Sequence, residues 1–474
     1  MKILIYFLIS VLWSINMEAK VKLPPLLSDN MVLQQKSNVR IWGKATPNST
    51  VVVTPSWANK EVKTHADEKG CWELQITTPA ASFEEYTLTL TDGEQSVTLQ
   101  HLLIGEVWLC AGQSNMVMPL NGFDYCPISD SNNVIADAPN HPGIRMVTIK
   151  PTVKLSPQEY AEGSWQQPTT ENAPKFSAAA YHYALTLQRT LQIPIGVITC
   201  AWGGSRVEGW LPKEILQTYK DEDLTLIGSD KTPVYLQSML MYNGILYPCH
   251  KYTIKGFIWY QGESNVRSSR TYAERLATMV KHWRSIWKQG DLPFYYVETV
   301  PFACEYKEDG YIGALLREAQ QKALSLIPNS GMIGTNHLVE THEAPQVHPH
   351  NKKGIGERLD YMSLNKTYGY QGIESEYPSY KSMKINGETI EISFSHAEKG
   401  LSPWMNISGF EIAGSDKVFY PAEASLNQKD HTVIVKSPTV KSPVAVRYCF
   451  RNFLKGNLIN TRNLPVRPFR TDKW

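Results

Sequence analysis

The stretch Val107-Trp108-Leu109-Cys110-Ala111, followed by Gly112-Gln113-Ser114-Asn115-Met116, is an apolar run that ends in a small polar turn. A short apolar run bounded by a turn is typical of a buried strand. Similar runs recur along the chain, separated by segments with helical spacing of apolar residues. Further strands are predicted at Ile195–Ala201, Ile254–Tyr260, Phe294–Val300 and Gly331–Thr335, and helices at Ala178–Leu191, Tyr272–Trp287 and Ala314–Leu326. The alternation predicts an α/β fold, with a parallel sheet and helices on both of its faces.

The segments on either side of this region have the pattern of short strands joined by turns. Apolar or β-branched runs are separated by turn residues such as Asp92-Gly93. These strands are predicted at Val39–Trp42, Val51–Val53, Trp72–Ile76, Tyr86–Leu90, Met383–Ile385, Thr389–Phe394, Thr432–Val435 and Val444–Tyr448. We therefore predict a β-sandwich-like N-terminal domain at residues 20–103, the α/β domain at 104–370 and a C-terminal β domain at 371–474.

The first residues have the pattern of a signal peptide. Met1-Lys2 is followed by the mostly apolar run Ile3–Ile15 and then by the small residue Ala19. The run is too short for a comfortable membrane span, and no second run of that length follows. We therefore predict that residues 1–19 are removed on export. The mature protein is expected to be periplasmic or extracellular, without a stable membrane span.

Composition excludes several classes of protein. The 47 Lys and Arg residues nearly balance the 45 Asp and Glu residues, and no basic block suggests nucleic-acid binding. The seven cysteines contain no Cys-x-x-Cys pair, and no set of His, Cys and Asp residues has the spacing of metal ligands. Neither a metal nor another cofactor is predicted.

Three of the predicted strands end in polar, glycine-rich turns. These turns are Gly112–Met116, Trp202-Gly203-Gly204-Ser205 and Gln261-Gly262-Glu263-Ser264-Asn265. Ligands of open α/β sheets bind beyond the carboxyl ends of the strands, so the three turns are expected to meet at one site. A fourth polar segment, His348-Pro349-His350-Asn351-Lys352, follows later in the chain.

These residue types suit acyl transfer from an ester. Ser114 offers a hydroxyl nucleophile, and His348 is a base that titrates near neutral pH. The tetrahedral oxyanion needs preorganised donors. Gly203 or Gly204 can bring a backbone N–H close because neither has a Cβ, and Gln261 or Asn265 can donate a side-chain amide.

The four segments resemble the four sequence blocks of the SGNH-hydrolase superfamily, and more narrowly its sialate O-acetylesterase branch. Gly-Gln-Ser-Asn-Met, Trp-Gly-Gly-Ser, Trp-Tyr-Gln-Gly-Glu-Ser-Asn and Val-His-Pro occur in the family's order. The resemblance implies a flavodoxin-like parallel sheet between helices. It also implies a serine esterase that removes acetyl groups from sugar hydroxyls without metal or cofactor. The family position favours His348 as the base over His342 or His350.

One departure from the family pattern concerns the residue that orients the histidine. The family places an Asp two or three residues before the His, but here those positions hold Gln346 and Pro345. Glu343 is the nearest preceding carboxylate and one candidate for the third catalytic residue. The alternative is a neutral carbonyl that orients His348 in a Ser–His dyad.

Three further residues are candidates for contact with the substrate. Gln113 precedes the nucleophile, Arg206 follows the second turn and Glu263 lies in the third. Arg206 could bind a sugar carboxylate or form an ordinary ion pair. Glu263 could act on the substrate or hold its own turn together.

The motifs serve the acetyl group and leave the sugar open. The leading hypothesis is an esterase acting on 9-O-acetylated sialic acid, and the alternative keeps the chemistry with a plant polysaccharide such as xylan or pectin. A third hypothesis, from another class, is a catalytically weak carbohydrate-binding protein that has lost the family's Asp. The expected partner in every case is an acetylated glycan or sialic acid.

Overall fold

The computed structural model describes residues 21–58 and 60–474. The predicted signal peptide therefore lies outside the described residues. The chain runs through seven strands before the serine turn: β1 (Val32–Gln34), β2 (Asn38–Lys44), β3 (Thr50–Pro55), β4 (Val62–His65), β5 (Cys71–Thr77), β6 (Ser82–Thr91) and β7 (Ser96–Gly112). All four strands predicted in this part of the chain are present.

The middle of the chain alternates between strands and helices as predicted. Its elements are α1 (Ser114–Val117), α2 (Ser131–Asp137), β8 (Ile144–Thr148), α3 (Ala178–Leu191), β9 (Ile195–Ala201), α4 (Lys213–Leu216), β10 (Gly256–Tyr260), α5 (Ser269–Trp287), β11 (Phe294–Val297), α6 (Ile312–Leu326), β12 (Ser330–Ile333) and α7 (Lys352–Lys366). Strands β8, β9, β7, β10, β11 and β12 are parallel neighbours in that order.

Helices cover both faces of this parallel sheet. Alternate residues of β7 point to opposite sides, as the period of a strand requires. Trp108 and Cys110 pack with α3 and α7, whereas Leu109 and Ala111 pack with α5 and α6. The α/β fold with helices on both faces is therefore confirmed.

Strand β7 also joins this sheet to the N-terminal strands. Its first half pairs antiparallel with β6, and β1 pairs with it in parallel at residues 103–105. Its second half, from Glu106 onward, pairs with β9 and β10. The strand passes without interruption through residue 103, where the sequence predicts the first domain boundary.

The C-terminal part of the chain is built from short strands. These are β13 (Ser379–Asn386), β14 (Thr389–Ser395), β15 (Leu401–Ser402), β16 (Phe410–Ala413), β17 (Phe419–Pro421), β18 (Glu423–Asn427), β19 (Thr432–Lys436), β20 (Ala445–Tyr448), β21 (Ile459–Asn460) and β22 (Phe469–Arg470). Two four-stranded sheets, β13-β14-β19-β18 and β17-β16-β20-β22, contribute to a separate apolar core.

Candidate functional site

The three polar turns lie at the carboxyl ends of three neighbouring strands. Gly112, the last residue of β7, pairs with Ala201 of β9 on one side and with Tyr260 of β10 on the other. Two backbone hydrogen bonds continue this register, from Gln113 N–H to Tyr260 O (3.0 Å) and from Trp202 N–H to Gly112 O (3.0 Å). The predicted convergence of the turns is confirmed.

Ser114 begins the short helix α1 directly after the central strand. Gly112 has a φ of +145°, and a Cβ there would lie 2.1 Å from Tyr260 O. Only glycine fits this approach between the backbones. The chain turns after Gly112 and places Ser114, which is half-buried, at the end of the sheet.

The second turn brings backbone donors close to Ser114. A Cβ built on Gly203 would lie 3.8 Å from Ser114 Cβ, so the two turns are nearly in contact. Within residues 21–58 and 60–474, the backbone N–H groups of Ser114, Gly203 and Gly204 donate to no acceptor. These donors remain available to an oxygen bound between the turns.

The two amides expected to donate to the oxyanion are instead committed to buried partners. Gln261 Nε2 donates to Ser205 O (3.1 Å) and to Asn265 Oδ1 (2.8 Å). Asn265 Nδ2 donates to the Glu208 carboxylate, 3.0 Å from Oε2. Both residues are fully buried, so the structure brings neither amide to the oxyanion position. The bond from Gln261 to Ser205 O holds the third turn against the second.

His348 lies beside the serine turn with one ring nitrogen unpaired. Its Nε2 is shielded from solvent and has no hydrogen-bond partner among the described residues. Phe123 packs edge-on against the ring, with 5.2 Å between the ring centroids. Burial lowers the pKa of His348 to about 4, and the nearby Lys352 adds to this effect. The imidazole is therefore neutral at pH 7 and able to accept a proton.

Glu343, the carboxylate predicted as one option for the third catalytic residue, contacts a different histidine. Its Oε1 accepts hydrogen bonds from His350 N (2.8 Å) and His350 Nδ1 (2.6 Å), and its Oε2 accepts from Glu340 N (2.8 Å). Burial alone would raise the pKa of Glu343, but these hydrogen bonds outweigh it and lower the pKa. The contacts commit both carboxylate oxygens, and none of them involves His348.

The side chain next to His348 Nδ1 is a cysteine. Cys126 Sγ lies 4.0 Å from His348 Nδ1. The same thiol donates to Gln346 Oε1 at 3.3 Å. No sequence signal marked Cys126, because it lies 222 residues before His348 and the contact is purely tertiary.

A buried network joins the loops that carry Ser114 and His348. Lys352 is fully buried, and its Nζ donates to Asn115 Oδ1 (2.6 Å) and Pro349 O (3.0 Å). Asn115 Nδ2 in turn donates to Glu263 Oε1 (2.6 Å) and Val347 O (2.9 Å). Burial lowers the pKa of Lys352 to about 7 and raises the pKa of Glu263. Glu263 thus contacts the serine turn through Asn115.

The remaining two candidates make contacts within the protein. Gln113 Oε1 accepts from the backbone N–H of Gly262 (3.2 Å) and Ser264 (3.4 Å), which ties the serine turn to the third turn. Arg206 donates to Glu222 Oε1 (2.6 Å), Leu236 O (3.0 Å) and Ser238 Oγ (3.2 Å). Of the two hypotheses for Arg206, the structure supports the ordinary ion pair, which forms with Glu222.

The described residues contain no group of His, Cys, Asp and Glu arranged to hold a metal ion. Across that same part of the chain, no helix is long and apolar enough to cross a membrane. The seven cysteines are all unpaired, including Cys200 and Cys249, whose Sγ atoms lie 3.6 Å apart.

A serine-bearing turn at the end of a central parallel strand, next to glycine-bearing turns, defines the class of SGNH-type α/β hydrolases. The family model that describes a carbohydrate esterase, sialic acid-specific acetylesterase, matches residues 104–362. The chain therefore belongs to this family of carbohydrate esterases and is a carboxylic ester hydrolase that acts on O-acetylated carbohydrate.

Individual relatives agree with this assignment. The human sialate O-acetylesterase is 26% identical over 386 residues, which cover 74% of this chain and 72% of the human protein. The mouse sialate O-acetylesterase is 24% identical over an alignment that covers 90% of this chain and 88% of the mouse protein. Among solved structures, a carbohydrate acetylesterase from Xanthomonas citri is 31% identical with a TM-score of 0.84, covering 96% of this chain and all of that one.

Proposed function

We propose that the protein hydrolyses O-acetyl esters of sugars through an acetyl-enzyme formed on Ser114. The observation that carries the proposal is that Ser114, whose turn has unpaired backbone donors, is joined through its neighbour Asn115 to Val347, the residue before His348, and that His348 Nε2 is itself unpaired. His348 Nε2 takes the hydroxyl proton as Ser114 Oγ attacks the ester carbonyl. The backbone N–H groups of Ser114 and of Gly203 or Gly204 stabilise the resulting oxyanion.

The second half of the reaction reverses the roles of these groups. His348 gives its proton to the departing sugar hydroxyl, which leaves an acetyl group on Ser114 Oγ. A water molecule then loses a proton to His348 Nε2 and attacks the acetyl carbonyl. His348 returns that proton to Ser114 Oγ as the bond to the acetyl group breaks, which releases acetate and the free serine. No cofactor enters this sequence of steps.

In the same proposal, Cys126 and Gln346 take over the role of the family's Asp. The Cys126 thiol donates its hydrogen to Gln346 Oε1, so the lone pairs of sulfur can accept the Nδ1 hydrogen of His348. This arrangement fixes the tautomer in which Nε2 is the proton acceptor. A neutral acceptor stabilises the imidazolium less than a carboxylate does.

The orienting contact predicts a contrast between two substitutions. We expect Cys126→Ala to lower kcat about fivefold to tenfold, which corresponds to about 1 kcal/mol for one net hydrogen bond. Glu343→Gln should change kcat only a few-fold, because its carboxylate contacts His350. Steady-state hydrolysis of an aryl acetate measures both, and Cys126→Ser should recover part of the loss. A fall of about 10⁴-fold in Glu343→Gln would instead make Glu343 the third catalytic residue.

The low pKa of His348 predicts an unusually acidic lower limit of activity. The group must be neutral to act as base, so kcat/KM should fall only as the pH decreases through about 4, instead of near the ordinary value of 6.5. Gln346→Asp should move this limit toward neutral pH, because a carboxylate beside the ring stabilises the imidazolium. Circular dichroism at each pH separates this limit from acid unfolding. A wild-type limit at pH 6 to 7 would contradict the assigned environment of His348.

The family description names sialic acid, and our first candidate substrate is its 9-O-acetylated form. The second candidate is an acetylated plant polysaccharide such as xylan or pectin, and one observation favours a neutral sugar. Arg206, which could have bound a sugar carboxylate, instead forms an ion pair with Glu222. Acetate release from 9-O-acetylated sialic acid compared with acetylated xylan decides between them. An aryl acetate tests the chemistry by itself, and failure to hydrolyse it would indicate a binding protein.

Export completes the proposal. The predicted signal peptide would place the mature enzyme in the periplasm or outside the cell, where acetylated glycans are encountered. Cleavage after Ala19, read from the N-terminal sequence of the secreted protein, tests this part separately.

A further inference from the structure

The aromatic ring of Tyr235 lies against the glycine turn that approaches Ser114. A Cβ built on Gly204 would meet three ring atoms of Tyr235, at 2.6, 3.0 and 3.2 Å. The ring therefore covers Gly204 with one face, and Gly204 has a φ of +73° that suits glycine. The preceding residue of the turn, Gly203, is the one that approaches Ser114. Tyr235 and Ser114 thus contact adjacent residues of a single turn.

The segment that carries Tyr235 is held by buried polar contacts. Gln237 is buried, and its Nε2 donates to Ser229 O (2.8 Å) and Thr232 O (2.8 Å) while its Oε1 accepts from Gly228 N (2.7 Å). These bonds cross-link the loop that leads up to Tyr235. The position of the ring is therefore fixed before any ligand binds.

Arg206 fixes the same segment from the other side. Its Nε donates to the backbone carbonyl of Leu236, and its guanidinium also contacts Ser238 and Glu222. Arg206 is itself two residues from Gly204, so one side chain joins the glycine turn to the segment over it. In this arrangement the positive charge of Arg206 is paired with the carboxylate of Glu222.

The Tyr235 residue is partly open to solvent. It is 42% exposed, although Gly204 packs against its ring. A flat aromatic face in solvent offers apolar contact area, and the C–H-bearing face of a pyranose is its natural complement. The exposure is located at the turn beside the nucleophile, where a sugar ester must approach.

We infer that Tyr235 is a sugar-stacking subsite for the pyranose ring that carries the acetyl group. This inference rests on the proposed function of Ser114. Because Tyr235 and Ser114 contact adjacent glycines, a ring stacked on Tyr235 brings its own ester to the nucleophile. The subsite therefore selects an acetyl group on a ring hydroxyl of a neutral sugar. An acetyl group on the flexible glycerol side chain of sialic acid lies outside the stacked ring.

The test compares esters with and without a sugar ring. The probes are an acetylated xylo-oligosaccharide, 9-O-acetylated sialic acid and ethyl acetate, and released acetate is measured for each. The quantity of interest is the ratio of kcat/KM for a sugar ester to kcat/KM for ethyl acetate. We expect Tyr235→Ala to lower this ratio about tenfold for the xylo-oligosaccharide, mainly through KM. Tyr235→Phe keeps the ring and should retain most of the ratio.

Tyr370→Ala is the matched control, because Tyr370 is also exposed, at 41%, and lies after α7, away from the glycine turn. An unchanged ratio in Tyr235→Ala overturns the subsite, and so does an equal loss in Tyr370→Ala. A tenfold loss confined to 9-O-acetylated sialic acid overturns the assignment to ring hydroxyls. A wild-type protein that releases no acetate from any of the three esters contradicts the proposed function itself, which is a distinct result.

Discussion

Replacing Ser114 by alanine is expected to reduce acetate release from an aryl acetate by roughly a thousandfold or more. The substitution removes the only atom of the site proposed to form the acetyl-enzyme. It leaves the backbone donors of the turn in place, so some residual rate above that in water should persist. Ser114 is half-buried and the change removes one oxygen atom, so the thermal unfolding midpoint should stay close to that of the wild type.

Ser264→Ala provides the matched control for this experiment. Ser264 lies in the third polar turn, is half-buried like Ser114 and is not proposed to react. Its replacement should leave turnover within a few-fold of the wild type. Near-normal turnover in Ser114→Ala, with unchanged folding, would rule out the acetyl-enzyme and move the search to another nucleophile.

Lys352→Met is expected to destabilise the protein by about 2–4 kcal/mol and to lower kcat/KM as well. Methionine has a similar length but leaves Asn115 Oδ1 and Pro349 O without their buried donor. Buried polar groups that lose a partner cost about 1–3 kcal/mol each, and the charge of Glu263 loses its compensating neighbour. Activity falls because the same network holds the serine turn to the histidine loop.

Lys353→Met separates this effect from a general loss of charge. Lys353 is the next residue of the same helix but is exposed, so its replacement should change the free energy of unfolding by less than about 0.5 kcal/mol. Urea unfolding of the two variants measures the difference. Equal stability of Lys352→Met and Lys353→Met would show that the buried network contributes little.

Much of the α/β region could be predicted because its strands and helices differ sharply in apolar pattern. The helix Ala178–Leu191 and the strand Ile195–Ala201 have the bounds read from the sequence. Helix α7 was missed for a physical reason. It buries Lys352, Arg358 and Asp360 among its apolar residues, so no apolar stripe marks the helix in the sequence.

The position of the site could also be predicted, because parallel strands bring their carboxyl ends to one edge. The direction in which individual side chains point could not be predicted from the sequence. Gln261 and Asn265 have the chemistry of oxyanion donors, but the Gln261 amide donates to Asn265 and the Asn265 amide donates to Glu208. Two other contacts could not be predicted because they depend on how loops fold in three dimensions, which no local sequence pattern indicates. They are the ion pair between Arg206 and Glu222 and the contact of Cys126 with His348.

The uninterrupted course of strand β7 has a consequence for how the protein tolerates change. The strand is 17 residues long, and Ser114 lies two residues beyond its end. Its first half is anchored by β6 and its second half by β9 and β10, so fraying at one end weakens the pairing at the other. The two halves therefore behave as one cooperative unit. Substitutions in the N-terminal strands, far from any substrate, will then lower esterase activity by lowering the fraction of molecules in which β7 is fully paired.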